Sequence, residues 1–298
     1  MTYDVIVIGG GPAGLSGAVA LGRALRSVLV IDAGDGRNAP ADGIHNYLTR
    51  DGMTPADFRA AGQQEVRRYG GEVIEGRVVS TASGAVFTVT LADGRAYEGR
   101  RLLVTTGLID ELPAIPGLRE RWGKSVLHCP YCHGYEVRGK AVAIIGTGPM
   151  SVHQALMWRQ WTPDLTLFLN DAVDPDERLA ARGIAVVPGR IAELGDGEVR
   201  LADGSVHKRE AFVVAPRFVA RAEPLISLGL EAVETDFGTS VPIEDPFGRT
   251  KVPGVWVAGN VADARAQVIS AAAAGLNAGA AINMDLIEDD FGGAGSQR

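Results

Sequence analysis

The chain opens on an unbroken apolar run, Val5-Ile6-Val7-Ile8, with no polar residue to face water. Continuous β-branched runs of this kind belong to strands covered on both faces, as in a parallel sheet. The cluster Gly9-Gly10-Gly11-Pro12-Ala13-Gly14 follows, then small and apolar residues from Leu15 to Leu25 that suit a buried helix, then a second apolar strand ending at Asp32. Strand, glycine turn, helix, strand and acid make a βαβ unit. The pattern recurs with a buried strand over 141–145, the turn Gly146-Thr147-Gly148-Pro149-Met150-Ser151, a helix to about Trp161 and a strand over 165–169.

The segments between carry turn and cap signals. Residues 33–53 are polar and glycine-rich and read as loop. Thr54-Pro55-Ala56-Asp57 has a capping threonine, a first-turn proline and an acid three after the cap, so a helix is expected to about Tyr69. Residues 72–105 read as a β-meander with a hairpin at Ala92-Asp93-Gly94, and the Leu-Ala-Asp-Gly turn recurs at 201–204 in a second meander. The period is far too long for stacked repeats. From Val252 a strand ends in the turn Gly259-Asn260-Val261, a helix is expected from about Gln267 to Ile287, and the tail from Gly292 is expected to be mobile. The predicted fold is α/β, with two Rossmann-like three-layer nucleotide-binding domains, each with a small β-meander.

Composition narrows this further. At 298 residues the chain exceeds a comfortable single core. Hydrophobic residues at 46% and charged residues at 22% mark an ordinary globular protein, and 39 glycines with 6% aromatics suit tight strand-to-helix turns. A net charge of −7 gives no general attraction to nucleic acid or an anionic membrane. No run of about 18 apolar residues predicts a membrane span. The N-terminus enters a strand with no basic leader, so a cytoplasmic protein without a signal peptide is expected.

In Gly9-x-Gly11-x-x-Gly14 the first glycine allows the tight turn, the second lets a pyrophosphate approach the backbone, and the third lets the helix pack on the strand. Asp32, about 20 residues on, is placed to accept from a ribose hydroxyl and disfavours a 2′-phosphate. Dinucleotide binding is the reading of this first site. The second fingerprint, Gly146, Gly148 and Ser151, is weaker. Its strand ends on Asn170 and Asp171, where a 2′-phosphate would want arginine, and Arg178 and Arg182 would have to fold back. Two readings stay open there: an NADPH site, or a structural domain that keeps the shape without the ligand.

The two cysteines of the chain sit in His128-Cys129-Pro130-Tyr131-Cys132-His133-Gly134-Tyr135-Glu136. Cysteines at this spacing can close a small disulfide, and His133 beside Cys132 is a candidate proton acceptor and donor. Three other readings compete. Attached haem needs an export route and leaves the glycine fingerprints unexplained. Structural zinc wants a second ligand pair. Two inert buried cysteines would rarely land at this spacing. Redox chemistry is favoured, and a flavin is the partner that accepts two electrons from a dithiol. Trp158 and Trp161, three apart, share a helix face and suit core or dimer packing.

These motifs resemble the low-molecular-weight thioredoxin reductase family of FAD-dependent disulfide oxidoreductases over nearly the whole chain. The resemblance rests on the first fingerprint, Thr105-Thr106-Gly107, Leu112-Pro113-Ala114-Ile115-Pro116-Gly117, the cysteine pair just before the second fingerprint, and the stretch 252–267. It implies a discontinuous FAD domain, 1–110 with 222–298, and a central domain, 111–221, carrying the disulfide. It also implies that Cys132 faces the flavin, Cys129 exchanges with substrate, and Asn46, Gly107, Gln267 and Val268 lie near the cofactor. Gly259-Asn260-Val261 matches a Gly-Asp motif with asparagine for aspartate. His133 stands where these reductases carry an aspartate, and His128 precedes Cys129 where they usually do not. A subgroup looks nearer still: the dithiol oxidases of disulfide natural-product pathways of the gliotoxin, holomycin and romidepsin type. They oxidise a small-molecule dithiol and pass electrons through FAD to dioxygen. The alternatives are an NADPH- or ferredoxin-dependent reductase of a protein disulfide and a flavin-binding redox sensor. The resemblance implies a homodimer, and no metal is expected.

Overall fold

In the computed structural model, which describes residues 1–174 and 176–295, the chain divides into two compact units. The first comprises 1–39, 55–109 and 218–298, and the second 40–54 and 110–217. The chain leaves the first unit within the strand Leu108–Glu111 and returns within Arg217–Ala220. The loop 40–54 groups with the second unit although its neighbours on both sides belong to the first.

The sheet of the first unit runs in the order Glu72–Glu75, Val28–Asp32, Thr2–Ile8, Ala96–Val104, Phe87–Leu91, Val78–Ala82, with Val255–Val257 also on Ala96–Val104. Ile6 and Ile8 enter one apolar cluster with Leu29, Ile31 and Leu102, while Val5 and Val7 enter another with Val28, Val30 and Leu103. Both faces are covered, which is why the opening run has no polar position. Ala96–Val104 serves two neighbours along one edge: its start pairs antiparallel with Phe87–Leu91, and its end pairs parallel with Val255–Val257. The meander is therefore Val78–Val104. Glu72–Glu75, read from sequence as part of it, is instead a parallel edge strand on Val28–Asp32.

The second unit repeats the plan. Ala185–Val187, Leu165–Phe168, Val142–Ile145, Ala211–Val213 and Val126–Leu127 form an all-parallel sheet. Val142 and Ile144 face one cluster, Ala143 and Ile145 the other. The antiparallel meander Ile191–Gly195, Glu198–Leu201, Val206–Lys208 sits beside it. The two Leu-Ala-Asp-Gly turns close alike: Gly94 N–H donates to Leu91 O and Gly204 N–H to Leu201 O, both at 3.0 Å, with glycine φ of 87° and 88°.

The C-terminal helix is Val268–Gly295, longer than the periodicity suggested, so the tail from Gly292 begins as helix; 296–298 lie outside the described residues. It packs on the helix Pro12–Arg23 through glycines. A Cβ on Gly275 would overlap the Ala13 carbonyl, and one on Gly279 would sit 2.8 Å from Gly17 O. Among the described residues no helix is long and apolar enough to cross a membrane.

Candidate functional site

The first fingerprint forms a cradle at the end of Thr2–Ile8. Gly9 adopts φ +109°, and a Cβ on Gly14 would strike Gly9 O. Thr105 locks the turn, its hydroxyl donating to Gly9 O at 2.8 Å. A Cβ on Gly11 would meet nothing within 4 Å, so open space lies over the helix N-terminus. Asp32 is half-buried at the neighbouring strand end, its carboxylate accepting from Gly34 N–H at 3.3 Å with Arg59 Nη1 3.9 Å away. Gly107 and Gly259 take φ of +75° and +77°, and a Cβ on Gly259 would sit 3.0 Å from Ala13 Cβ. The turn Gly259–Val261 thus abuts the fingerprint helix. Asn260 donates through Nδ2 to the carbonyls of Asp263, Ala264 and Ala266 and accepts from Arg37 Nη1 at 3.3 Å. An aspartate there could not donate, so the asparagine itself organises this turn. Gln267 and Val268 are half-buried at the start of the C-terminal helix.

The second fingerprint has the shape, with the space at Gly148 open as at Gly11, but its Thr147 N–H is taken within the loop. Gly148 has φ +155°, but Ser151 is fully buried and its Oγ accepts from Thr147 N–H at 3.0 Å. Asn170 donates to Gly146 O at 3.0 Å and accepts from Ile191 N–H at 2.9 Å. The adjoining cleft is lined by Asp171 and Asp174, which repel a 2′-phosphate. Arg178 does not fold back: its guanidinium binds Asp176 through contacts of 2.7–3.1 Å.

The cysteines lie at the end of the edge strand Val126–Leu127. Cys129 caps the four-residue helix Pro130–His133, its carbonyl accepting from the N–H groups of Cys132 and His133, both at 3.2 Å. Both cysteines are half-buried. A Cβ on Gly134 would sit 2.9 Å from the Trp161 ring, and Trp161 meets Tyr131 edge-on at 5.6 Å. Trp161 therefore floors this helix, and Trp158 beneath it is fully buried. His128 Nδ1 donates to Val214 O at 3.0 Å, which leaves Nε2 as the acceptor nitrogen; buried Gln154 donates through its Nε2 to the same carbonyl at 3.4 Å. Burial pushes the His133 imidazole below its ordinary value; Glu136 and Asp42 push it up and His45 pushes it down. At neutral pH His133 is a neutral proton acceptor.

The structure brings Asn46 to this helix: Nδ2 donates to Tyr131 O at 2.6 Å. Asn46 takes φ +61° in the loop 40–54, which is closed by the Ile44–Met53 bridge and rests Pro40 on Gly123. Sequence reasoning missed His45, Asp51, Glu136 and Gln154. His45 lies between Asp51 and Glu136 on opposite sides of its ring. A loop has no periodicity to reveal such partners; the only signal was a histidine and an acid in a glycine-bounded stretch.

Comparison with known proteins agrees with this geometry. The model of the pyridine nucleotide-disulphide oxidoreductase family matches residues 3–275. The chain is 33% identical to thioredoxin reductase sirT of Leptosphaeria maculans, over 97% of this chain and 96% of that protein. The structure of HlmI superposes with a TM-score of 0.92 at 42% identity, covering 98% of this chain and 95% of that one. An oxidoreductase from Agrobacterium tumefaciens gives 0.91 at 38%, covering 96% and 99%. Such proteins are FAD-dependent, and the first cradle, with its space above Gly11 and acid at the ribose position, fits that cofactor. Matched across both units, the chain belongs to the pyridine nucleotide-disulphide oxidoreductase family and is a thioredoxin reductase-like, FAD-dependent disulfide oxidoreductase.

Proposed function

We propose that this chain is a dithiol oxidase: it forms a disulfide in a small-molecule dithiol and passes the electrons through FAD to dioxygen. The observation that carries the reading is the second nucleotide fold, whose loop N–H and strand-end amide are spent on the protein itself, at Thr147 to Ser151 and at Asn170. A substrate thiolate attacks Cys129 of the Cys129–Cys132 disulfide, and Cys132 leaves as thiolate. The second substrate thiolate attacks the substrate sulfur of the mixed disulfide, and Cys129 leaves. The substrate is oxidised by two electrons, the cysteine pair is reduced, and the two thiol protons pass to the enzyme sulfurs. His133, and His128 through Nε2, hold those protons in transit. Bound FAD supplies the two-electron sink and the onward reduction of dioxygen to peroxide. Gly9, Gly11, Pro12, Ala13, Gly14 and Asp32 would hold its phosphates and ribose, with Gly107, Gly259, Asn260, Val261, Gln267 and Val268 around the rest.

The second reading, an NADPH- or ferredoxin-fed reductase of a protein disulfide, is favoured by the name thioredoxin reductase carried by the curated relative sirT. Peroxide release decides between them. In air, a small dithiol should drive peroxide formation that Cys129→Ser abolishes, with NADPH giving none. NADPH oxidation coupled to disulfide reduction would overturn the oxidase. We read the protein as cytoplasmic and homodimeric. The exposed apolar residues Ile269, Leu276, Met284 and Phe291 line up along the C-terminal helix and support a dimer face, which light scattering tests.

A further inference from the structure

We propose that His45 is a positioning residue for the thiol chemistry: clamped between Asp51 and Glu136, it holds the Glu136 carboxylate and offsets its charge beside His133. This rests on the reading of His133 as the base that serves the cysteine pair. His45 Nδ1 lies 3.4 Å from Asp51 Oδ2, and Nε2 lies 3.6 Å from Glu136 Oε1. Nδ1 is within hydrogen-bond reach of Asp51, and Nε2 stands at ion-pair distance from Glu136.

The clamp is built from both ends. Asp51 is anchored independently, its Oδ1 accepting from Asn46 N–H at 2.9 Å, and Asn46 grips the cysteine helix at Tyr131 O. The Asn46 N–H, and beside it the His45 ring, hold the Asp51 carboxyl below the usual carboxylate range. Glu136 sits three residues after His133, where the chain continues to turn beyond the cysteine helix. The charged groups that face His133 are Glu136, His45 and Asp42, and His45 is the one base among them. The His45 side chain is 23% exposed, less than either carboxylate that flanks it, Glu136 at 44% and Asp51 at 67%. This gives the loop 40–54 a task that packing alone does not explain.

Without His45, the Glu136 and Asp42 carboxylates act unopposed and hold protons on both His133 and the neighbouring thiol. The test is the pH dependence of iodoacetamide alkylation of the reactive cysteine in the reduced holoprotein, for wild type, His45→Ala, His45→Gln and Asp51→Asn. In His45→Ala the acid limb should move to higher pH, with alkylation below the wild-type midpoint slowed about tenfold and the alkaline plateau retained. His45→Gln, which keeps one donor for Glu136 but no charge, should fall between. Asp51→Asn keeps the acceptor for Asn46 N–H and should move the limb the same way by less; it decides the matter if His45→Ala fails to retain FAD. An unmoved limb, or an equal slowing at every pH, would overturn the proposal. The readout needs no electron acceptor. A protein bleached by NADPH and not by dithiol would sink the oxidase reading while leaving this result standing, and the converse also holds.

Discussion

Two alanine substitutions three residues apart in the first fingerprint should fail in opposite ways. Gly14→Ala places a methyl against Gly9 O and 2.6 Å from Thr105 Oγ1, atoms of a locked turn that cannot swing aside. Overpacking of this severity costs about 3 kcal/mol, and the better helix propensity of alanine returns about 1. The net of about 2 kcal/mol corresponds to a loss of roughly 4–8 °C in Tm for a domain of this size. Gly11→Ala meets no protein atom, and Gly11 has φ −82° and ψ −173°, which alanine adopts freely. Its lower unfolded-state entropy stabilises by about 0.4–1 kcal/mol, and losing glycine at the cap costs a few tenths. The apoprotein should melt within about 2 °C of wild type. Yet the methyl fills the space where a pyrophosphate meets the backbone, and losing one charge-assisted hydrogen bond, about 1.5–3 kcal/mol, weakens FAD binding roughly 10- to 100-fold. Thermal melts of the deflavinated proteins, with FAD titrated by its fluorescence, separate the two. Unaltered FAD affinity in Gly11→Ala, or an unaltered apoprotein melt in Gly14→Ala, would refute the reasoning.

His133→Ala should slow dithiol oxidation by about 10²–10⁴-fold at neutral pH. Because burial holds this imidazole low, the wild-type acid limb should fall below the ordinary histidine value, and stopped-flow rates across pH should show that limb lost in the variant. Asn170→Ala strands Gly146 O and Ile191 N–H and places alanine at φ +52°, costing about 2–3 kcal/mol in a chemical melt with FAD content unaltered. Arg100 and its neighbours hold the Asp289 and Asp290 carboxyls below the usual range. Their folded-state values are depressed, so the stability they give is present above the unfolded value and is lost as pH falls through the folded one. Amide exchange in the last described turns of the C-terminal helix should therefore quicken in acid, and Arg100→Ala should weaken that dependence, leaving the part that Arg26 and Arg101 supply.

The layered sheets were legible because burial on both faces writes itself as unbroken apolar runs, at 5–8 and again at 142–145. The hairpins were legible because glycine alone takes the left-handed position at 94 and 204 without strain. Glu72–Glu75 misled because this edge strand, Glu-Val-Ile-Glu, is too exposed to carry the unbroken apolar run that marks the inner parallel strands. The helix after Ile287 was missed because Glu288, Asp289 and Asp290 look like a terminus, yet Arg100 and Arg26 pair with the two aspartates. At the site, the glycines, the cysteines and His133 announce themselves by type and spacing. His45 and Gln154 do not, since their meaning lies in what folding brings against them: Glu136 in one case and His128 in the other.

The central claim is that electrons pass between the sulfurs at 129 and 132 and bound FAD. Anaerobic mixing of the yellow holoprotein with excess small dithiol, followed at the flavin absorbance band, tests it most directly. The account predicts full bleaching in wild type, none in Cys132→Ser, and recovery of colour when air is admitted. A Cys132→Ser protein that bleaches as fast as wild type, or a wild-type protein whose colour the dithiol leaves untouched, would contradict it.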